Sequence, residues 1–170
     1  MANYSSPTVV QQQIPCCDIT TLEFLILTQI FDYDRDGDTI RFYHAVEPQS
    51  TLLLDLAQLH EALSAPENNG TTALSKIVAQ FGGEIAAGAG MQFDASDDCW
   101  TGIFRDIVKR SETIDHISIV SAFVCDKMRA DGFGGAVILI TKDIIRYAST
   151  TDILGDFLRD ARTAQEIGPP

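Results

Sequence analysis

The chain has 170 residues, of which 45% are hydrophobic and 21% are charged, and its formal net charge is −12. A chain of this size and apolar content buries one core and is too short for two large domains. Its longest apolar stretches fall well short of the roughly 20 residues that cross a bilayer, and its N-terminus lacks the pattern of a signal peptide. We therefore expect a cytoplasmic protein.

The negative charge is concentrated in the first hundred residues. They hold 14 of the 24 carboxylates, but only Arg35, Arg41 and Lys76 of the 12 basic residues. Beyond position 100, ten acidic residues face nine basic ones. Binding to a nucleic-acid backbone requires clustered Lys and Arg, so this pattern predicts a protein partner with a basic surface and no direct nucleic-acid binding.

The N-terminal residues 1–17 are predicted to form a flexible arm before a single α+β domain over residues 18–166. The arm is polar, contains two prolines and three consecutive glutamines, and has no apolar core of its own. The first helix is expected to begin at Thr20, because Thr20 and Glu23 have the spacing of a capping box. Apolar residues surround most of this helix as far as Phe31, which predicts that it is buried on most sides.

A turn at Asp36-Gly37 leads into a strand predicted over residues 39–46, whose alternating side chains give it two unlike faces. The next helix is expected to be capped by Ser50 or Thr51 and to end before Pro66. Its leucines recur at helical spacing. A third helix is predicted over residues 72–81.

A weak strand is predicted within residues 84–94. Ser96 then caps another predicted helix, because Asp97 and Asp98 lie where the helix dipole favours carboxylates. The core residues of this helix recur every three or four positions: Trp100, Ile103, Phe104, Ile107 and Val108.

The strongest β signals are residues 117–124 and 136–141, which are predicted to pair as a hairpin, with a short strand over 144–147. Ser149 or Thr150 caps a last predicted helix, whose apolar stripe is expected to face inward: Ile153, Leu154, Phe157, Leu158 and Ala161. Regular βαβ alternation is missing. The sequence therefore predicts an α+β fold, with an antiparallel or mixed sheet of about four strands covered by about five helices.

The sharpest local motif is the aspartate-rich run over residues 32–38. Asp32, Asp34 and Asp36, followed by Gly37, have the spacing of the first half of a calcium loop. The twelfth position of such a loop is a bidentate Glu, but here it is Tyr43. An acidic turn is the favoured interpretation, and a calcium-binding module is an alternative.

No catalytic group and no cofactor are predicted. The four cysteines are interpreted as thiols, and Cys99 as a small buried hydrophobe, because Asp97 and Asp98 oppose formation of a thiolate there. The histidines lack zinc-site spacing. A small hydrolase that uses Asp and Glu with a divalent ion is an alternative, since any of the 24 acids can meet in a cleft. A subunit that self-associates is a further alternative.

The glycine cluster over residues 131–135 precedes a predicted strand and not a helix, which argues against a phosphate loop. It is predicted to form a hairpin tip on which Phe133 is exposed. Lys127 and Arg129 flank it, so the tip is also a candidate recognition loop.

Several segments resemble small acidic proteins carried on plasmids, phages and other mobile elements of proteobacteria. They are Ile14-Pro15-Cys16-Cys17-Asp18-Ile19-Thr20-Thr21-Leu22-Glu23, Asp36-Gly37-Asp38, Arg110-Ser111-Glu112-Thr113, and Val120-Ser121-Ala122-Phe123 through Asp131-Gly132-Phe133-Gly134-Gly135. In that setting, short acidic proteins often inhibit host defence, including restriction and CRISPR systems. The resemblance implies a setting and carries over no catalytic residue.

The leading hypothesis is a non-enzymatic acidic binding protein that occupies a basic, nucleic-acid-binding surface of a defence effector. Homo-oligomerisation is compatible with it. The predicted partner contacts are Asp32, Asp34, Asp36, Asp38 and Phe133.

Overall fold

A computed structural model describes residues 2–49, 51–65, 91–94 and 97–167. Its main element is one eight-stranded antiparallel sheet, formed by β1 (Tyr4–Ser5), β2 (Thr8–Val10), β3 (Ile14–Pro15), β4 (Asp32–Asp36), β5 (Thr39–His44), β8 (His116–Cys125), β9 (Phe133–Thr141) and β10 (Ile145–Ser149). A second, two-stranded sheet pairs β6 (Thr51–Leu54) with β7 (Met91–Asp94).

The strand order follows from how β2 is paired. β2 bonds to β5 on one side and to β8 on the other. β1 continues β2 along β8, and β3 continues it along β5. Across the sheet the order is therefore β10, β9, β8, β2, β5 and β4, so β4 and β10 are the edges among the described strands.

The described helices are α1 (Thr21–Ile30), α2 (Leu56–Ser64), α3 (Asp97–Arg110) and α4 (Thr150–Ile167), with a 3₁₀ turn at Cys16–Asp18. Helices α1 and α3 contribute to one core with one face of the sheet, here called the inner face. Because side chains alternate along a strand, every second residue of each strand lies on the inner face. Its buried residues include Val10, Ile14, Ile40, Phe42, Ile117, Ile119, Ile138 and Ile140.

Four aromatic rings fill the centre of this core. Phe31, which ends α1, lies 5.4 Å from Trp100 and 6.0 Å from Phe104 between ring centroids. Phe42 of the sheet lies 6.0 Å from Phe104. Tilted and edge-on contacts at these distances stabilise a core beyond the area that they bury. They join α1, α3 and β5 in one cluster.

The predicted α+β class agrees with the structure, but the expectation of about four strands and five helices was wrong. The described residues form eight strands in one antiparallel sheet and four α-helices. Three of the additional strands lie in the predicted arm, where Val10 and Ile14 are fully buried. Strands of two or three residues carry too little periodicity to be recognised without their pairing partners.

The second predicted helix begins later in the chain than expected. The helix expected from Ser50 or Thr51 instead begins at Leu56, and Asp55 caps it by accepting a 2.8 Å hydrogen bond from the Ala57 amide. The preceding leucines lie in β6, since pairing with β7 decides their conformation. The helix predicted over 72–81 lies outside the described residues.

Other predictions are confirmed. Thr20 and Glu23 form the capping box of α1, and the predicted stripe of α3 is buried. Strands β8 and β9 pair as a hairpin, and the short third strand is present as β10. The four cysteines are free thiols.

A buried ion pair joins the start of α1 to the end of α3. Glu23 is only 1% exposed, and its Oε2 accepts hydrogen bonds from the Thr20 amide and from Arg110 Nη2, at 2.9 and 2.5 Å. Arg110 also donates to the carbonyl of Asp18, and Ser111 donates to the Asp18 carboxylate. Asp18 and Glu23, the first two acidic residues of the chain, are thus hydrogen-bonded to residues of the C-terminal half.

Replacing Arg110 by Met is expected to lower the free energy of unfolding by about 3 kcal/mol, because it leaves the buried Glu23 carboxylate without its counterion. Urea denaturation measures this. Lys109→Met is the matched control, since Lys109 is exposed and 3.9 Å from Asp106, and such a pair contributes about 0.5 kcal/mol or less. Equal losses in the two variants would contradict a structural role for the Glu23–Arg110 pair.

Candidate protein-binding surface

The acidic run forms the edge hairpin of the sheet. Strands β4 and β5 are joined by Gly37 and Asp38, and Asp36 pairs with Thr39. Gly37 has a φ of +57°, and no other residue of the described chain has a positive φ. This is the pattern of a type II′ turn, which requires glycine at its first central position. All five residues of β4 are exposed.

Three of the four predicted aspartates lie on one face of this hairpin. Asp32, Asp34 and Asp36 alternate along β4 and stand beside Tyr43, Arg41 and Thr39 of β5. They belong to the face opposite the core, here called the outer face, because their partners alternate with the buried Ile40 and Phe42. We call these three aspartates the acidic strip.

The extended backbone bears on the calcium alternative. Residues two apart in a strand are separated by about 7 Å, so the carboxylates form a row and do not wrap around one ion. Among the described residues, no group of three or more His, Cys, Asp or Glu is arranged to hold a metal ion. The hairpin therefore gives the calcium interpretation no support.

Tyr43 reports the negative potential of the strip. Its phenol donates a 3.4 Å hydrogen bond to Asp34 Oδ1. The negative charge of Asp34, followed by partial burial and by Asp32, raises the pKa of Tyr43. Arg41, on the same face, acts in the opposite direction but does not cancel this effect.

Beyond β5, the outer face is apolar. Val9, Val120 and Val137 stand in register on three adjacent strands, and each is about 40% exposed. Leu139, Val124 and Phe133 extend the patch along β8 and β9 and are 36–53% exposed. We call these six residues the apolar platform. Contiguous exposed apolar side chains of this kind mark interaction surfaces.

The structure brings the predicted contact residues only partly together. Asp38 lies in the turn, beyond the end of the strip. Phe133 shares the outer face, but β9 is four strand positions from β4, about 19 Å across the sheet. Phe133 is also the first residue of β9, paired with Val124, and not a hairpin tip as expected.

The valines of the platform were missed at the sequence level. Strand β8 is apolar on both faces, and such a run is typical of a strand covered on both sides. Only the tertiary structure shows that Val120 and Val124 are exposed, by 42% and 38%. No local signal separates the two cases.

Charged residues on β4 also have a purely structural explanation. An exposed edge strand invites pairing with other chains, and charged side chains prevent this. Blocking an edge accounts for the composition of β4. It does not account for the exposed apolar side chains of β2, β8 and β9. These strands have a neighbour on both sides and are not edges of the sheet.

A cleft of about 300 Å³ on the inner side bears on the hydrolase alternative. Its hydroxyl groups bond to one another, with Thr8 and Ser121 2.8 Å apart. Its carboxylates include Asp152, whose pKa is lowered by hydrogen bonds from Ser149. An acid–base catalyst near neutral pH needs a raised pKa. The residues that line this cleft include neither His nor Cys.

No protein family, curated protein or solved structure matches the chain. Within the described ranges, no helix combines the length and the apolar composition that a membrane span requires. The function is therefore inferred from the surface itself.

Asp34→Asn is expected to lower the pKa of Tyr43 towards its ordinary value of about 10, because it removes the nearest negative charge. NMR titration of the Tyr43 ring carbon measures this. The raised pKa in the folded state implies that stability falls as pH rises above the unfolded value, and Asp34→Asn should weaken this fall. Asp36→Asn is the control, since Asp36 lies opposite Thr39. An equal shift in both variants would contradict a local effect of Asp34.

Proposed function

We propose that this chain is a non-enzymatic binding protein and that the outer face of its sheet docks on a partner protein with a basic surface. One observation carries the proposal. The acidic strip and the apolar platform lie on the same face, separated by one strand, β5. Protein interfaces commonly combine an apolar centre with a polar, solvent-accessible rim.

The dimensions of the platform favour a helix as the element that it accepts. Three adjacent strands carry its central valines, and the outer two are about 10 Å apart. An α-helix with its side chains is also about 10 Å wide. An amphipathic helix with an apolar stripe and basic residues along the border near β4 would match both parts of the surface.

The acidic strip raises the rate of association with the partner and the selectivity for it. Three carboxylates beside one guanidinium, that of Arg41, give this part of the face a negative potential. Such a potential accelerates encounter with a positive surface and rejects negative ones, and salt weakens it. In the setting implied by the resemblance to mobile-element proteins, the partner is a defence effector whose basic groove binds nucleic acid. The chain would then compete with that nucleic acid.

The proposal is tested with two designed helical peptides that share a Leu stripe, one flanked by Lys and the other by Glu. Isothermal titration calorimetry is expected to show that the chain binds the Lys peptide at least tenfold more tightly, since complementary charge sets partner preference. The difference should shrink as salt rises. Equal affinity for both peptides would contradict the proposal.

Matched variants assign this preference to the outer face. The triple change Asp32→Lys, Asp34→Lys and Asp36→Lys should abolish or invert it. The control triple, Glu112→Lys, Asp115→Lys and Asp143→Lys, makes the same change in net charge at exposed positions outside the hairpin. If the control loses the preference as fully as the hairpin variant, net charge and not the acidic strip is responsible. Pulldown from lysate at low and high salt, with both variants as baits, then identifies the natural partner.

A further inference from the structure

The C-terminal helix presents an apolar stripe to solvent. The sequence predicted that this stripe faces inward, and that prediction was wrong. Ile153, Leu154, Phe157 and Leu158 are 45–65% exposed, and Ala161 is exposed as well. Throughout residues 150–163, every residue except Gly155 is exposed.

The junction between β10 and α4 explains why the helix does not cover its own sheet. Strand β10 ends at Ser149 and α4 begins at Thr150, so no loop residue separates them. Ser149 caps the helix by hydrogen bonds with Asp152, and Thr150 Oγ1 accepts from the Gly135 amide at 3.2 Å. Connections that turn an element back on its neighbour normally need at least two residues. The stripe therefore cannot reach the platform of the same chain.

A helix in this position needs a partner for its stability. Packing of the amphipathic face supplies most of the stability of helices in proteins, and the apolar stripe of α4 is exposed in a single copy of the chain. The stripe of α4 is also broad, because neighbouring pairs such as Ile153-Leu154 and Phe157-Leu158 both contribute. A broad stripe suits the surface of a sheet better than the narrow seam of a coiled coil.

The charges beside the stripe match those beside the platform. At 3.6 residues per turn, Asp160 and Asp156 follow the border next to Ile153, where Asp156 is paired with Arg159, and Arg162 follows the border next to Leu158. On the outer face, the acidic strip lies on one side of the platform and Arg146 of β10 lies on the other. One of the two directions in which α4 can lie along the strands places Arg162 near the aspartates and Asp160 near Arg146.

We infer that α4 of one copy of this chain packs on the apolar platform of a second copy, and that the second copy reciprocates. Exchange of the same contact in both directions gives a closed two-fold dimer. The inference rests on the proposed function, because it assigns an occupant to the same surface. A basic partner protein would have to displace α4 of the second copy.

Complementation between two full-length variants tests this arrangement. Phe157→Glu damages the stripe and leaves the platform intact, whereas Val120→Glu damages the platform and leaves the stripe intact. Each variant alone is expected to be monomeric in sedimentation velocity, near the chain mass of 18.6 kDa. Their mixture is expected to form a heterodimer through its one intact pair of surfaces. If two copies instead associate by packing α4 against α4, mixing the two variants will not restore a dimer. The absence of a heterodimer in the mixture would overturn the inference.

A charge exchange provides a second measurement that does not depend on an apolar substitution. Arg162→Glu should raise the dimer dissociation constant about tenfold, and adding Asp34→Lys should restore it, because the two positions face each other across the contact. Arg162→Glu with the Asp143→Lys control should stay weak. The proposed direction of α4 on the platform would be overturned if Asp34→Lys did not restore dimerisation, or if Asp143→Lys restored it equally well.

The two proposals fail in different ways. A wild-type chain that remains monomeric but still prefers the Lys peptide would overturn the dimer and leave the proposed function standing. A chain that dimerises through α4 but does not distinguish the Lys from the Glu peptide would overturn the proposed function alone.

Discussion

The outer face depends on one short strand. Thr8–Val10 bonds to the acidic hairpin through β5 and to the C-terminal strands through β8, and so joins the two halves of the sheet. Val10 points into the core, and Val9 stands between Tyr43 and Val120 on the opposite side. Without this strand, the acidic strip and the apolar platform would belong to separate surfaces.

Among the described elements, helices cover one side of the sheet. Phe31, Trp100 and Phe104 bring α1 and α3 against the inner face, and the Glu23–Arg110 pair fixes the ends of these helices to each other. Within the described part of the chain, the outer face has no such cover, although β8 is apolar on both sides. An antiparallel sheet normally exposes polar side chains on its open face. The valines that stand there depart from this pattern, and the proposed contact with another molecule would account for them.

The acidity of the chain has more than one role. Glu23 and Asp18 are engaged by Arg110 and Ser111 and serve the fold. Asp152 accepts hydrogen bonds from Ser149 in the first turn of α4, where the positive end of the helix dipole favours a carboxylate. Asp32, Asp34 and Asp36 stand in a row on an exposed strand and make no ion pair among the described residues. Net charge alone therefore does not separate the carboxylates that serve the fold from those of the acidic strip, whereas their positions do.

By itself, the sequence determined the features that depend on neighbours along the chain: the Thr20–Glu23 cap, the stripe of α3, the β8–β9 hairpin and the turn at Gly37. These are decided within a few residues, by backbone conformation and by helical or strand periodicity. Only the tertiary structure decided that the N-terminal residues form strands, that the valines of β8 and the stripe of α4 are exposed, and that Phe133 shares a face with the aspartates. The physical reason is that burial and strand pairing join residues far apart in sequence, and an apolar side chain looks the same in the sequence whether or not another element covers it.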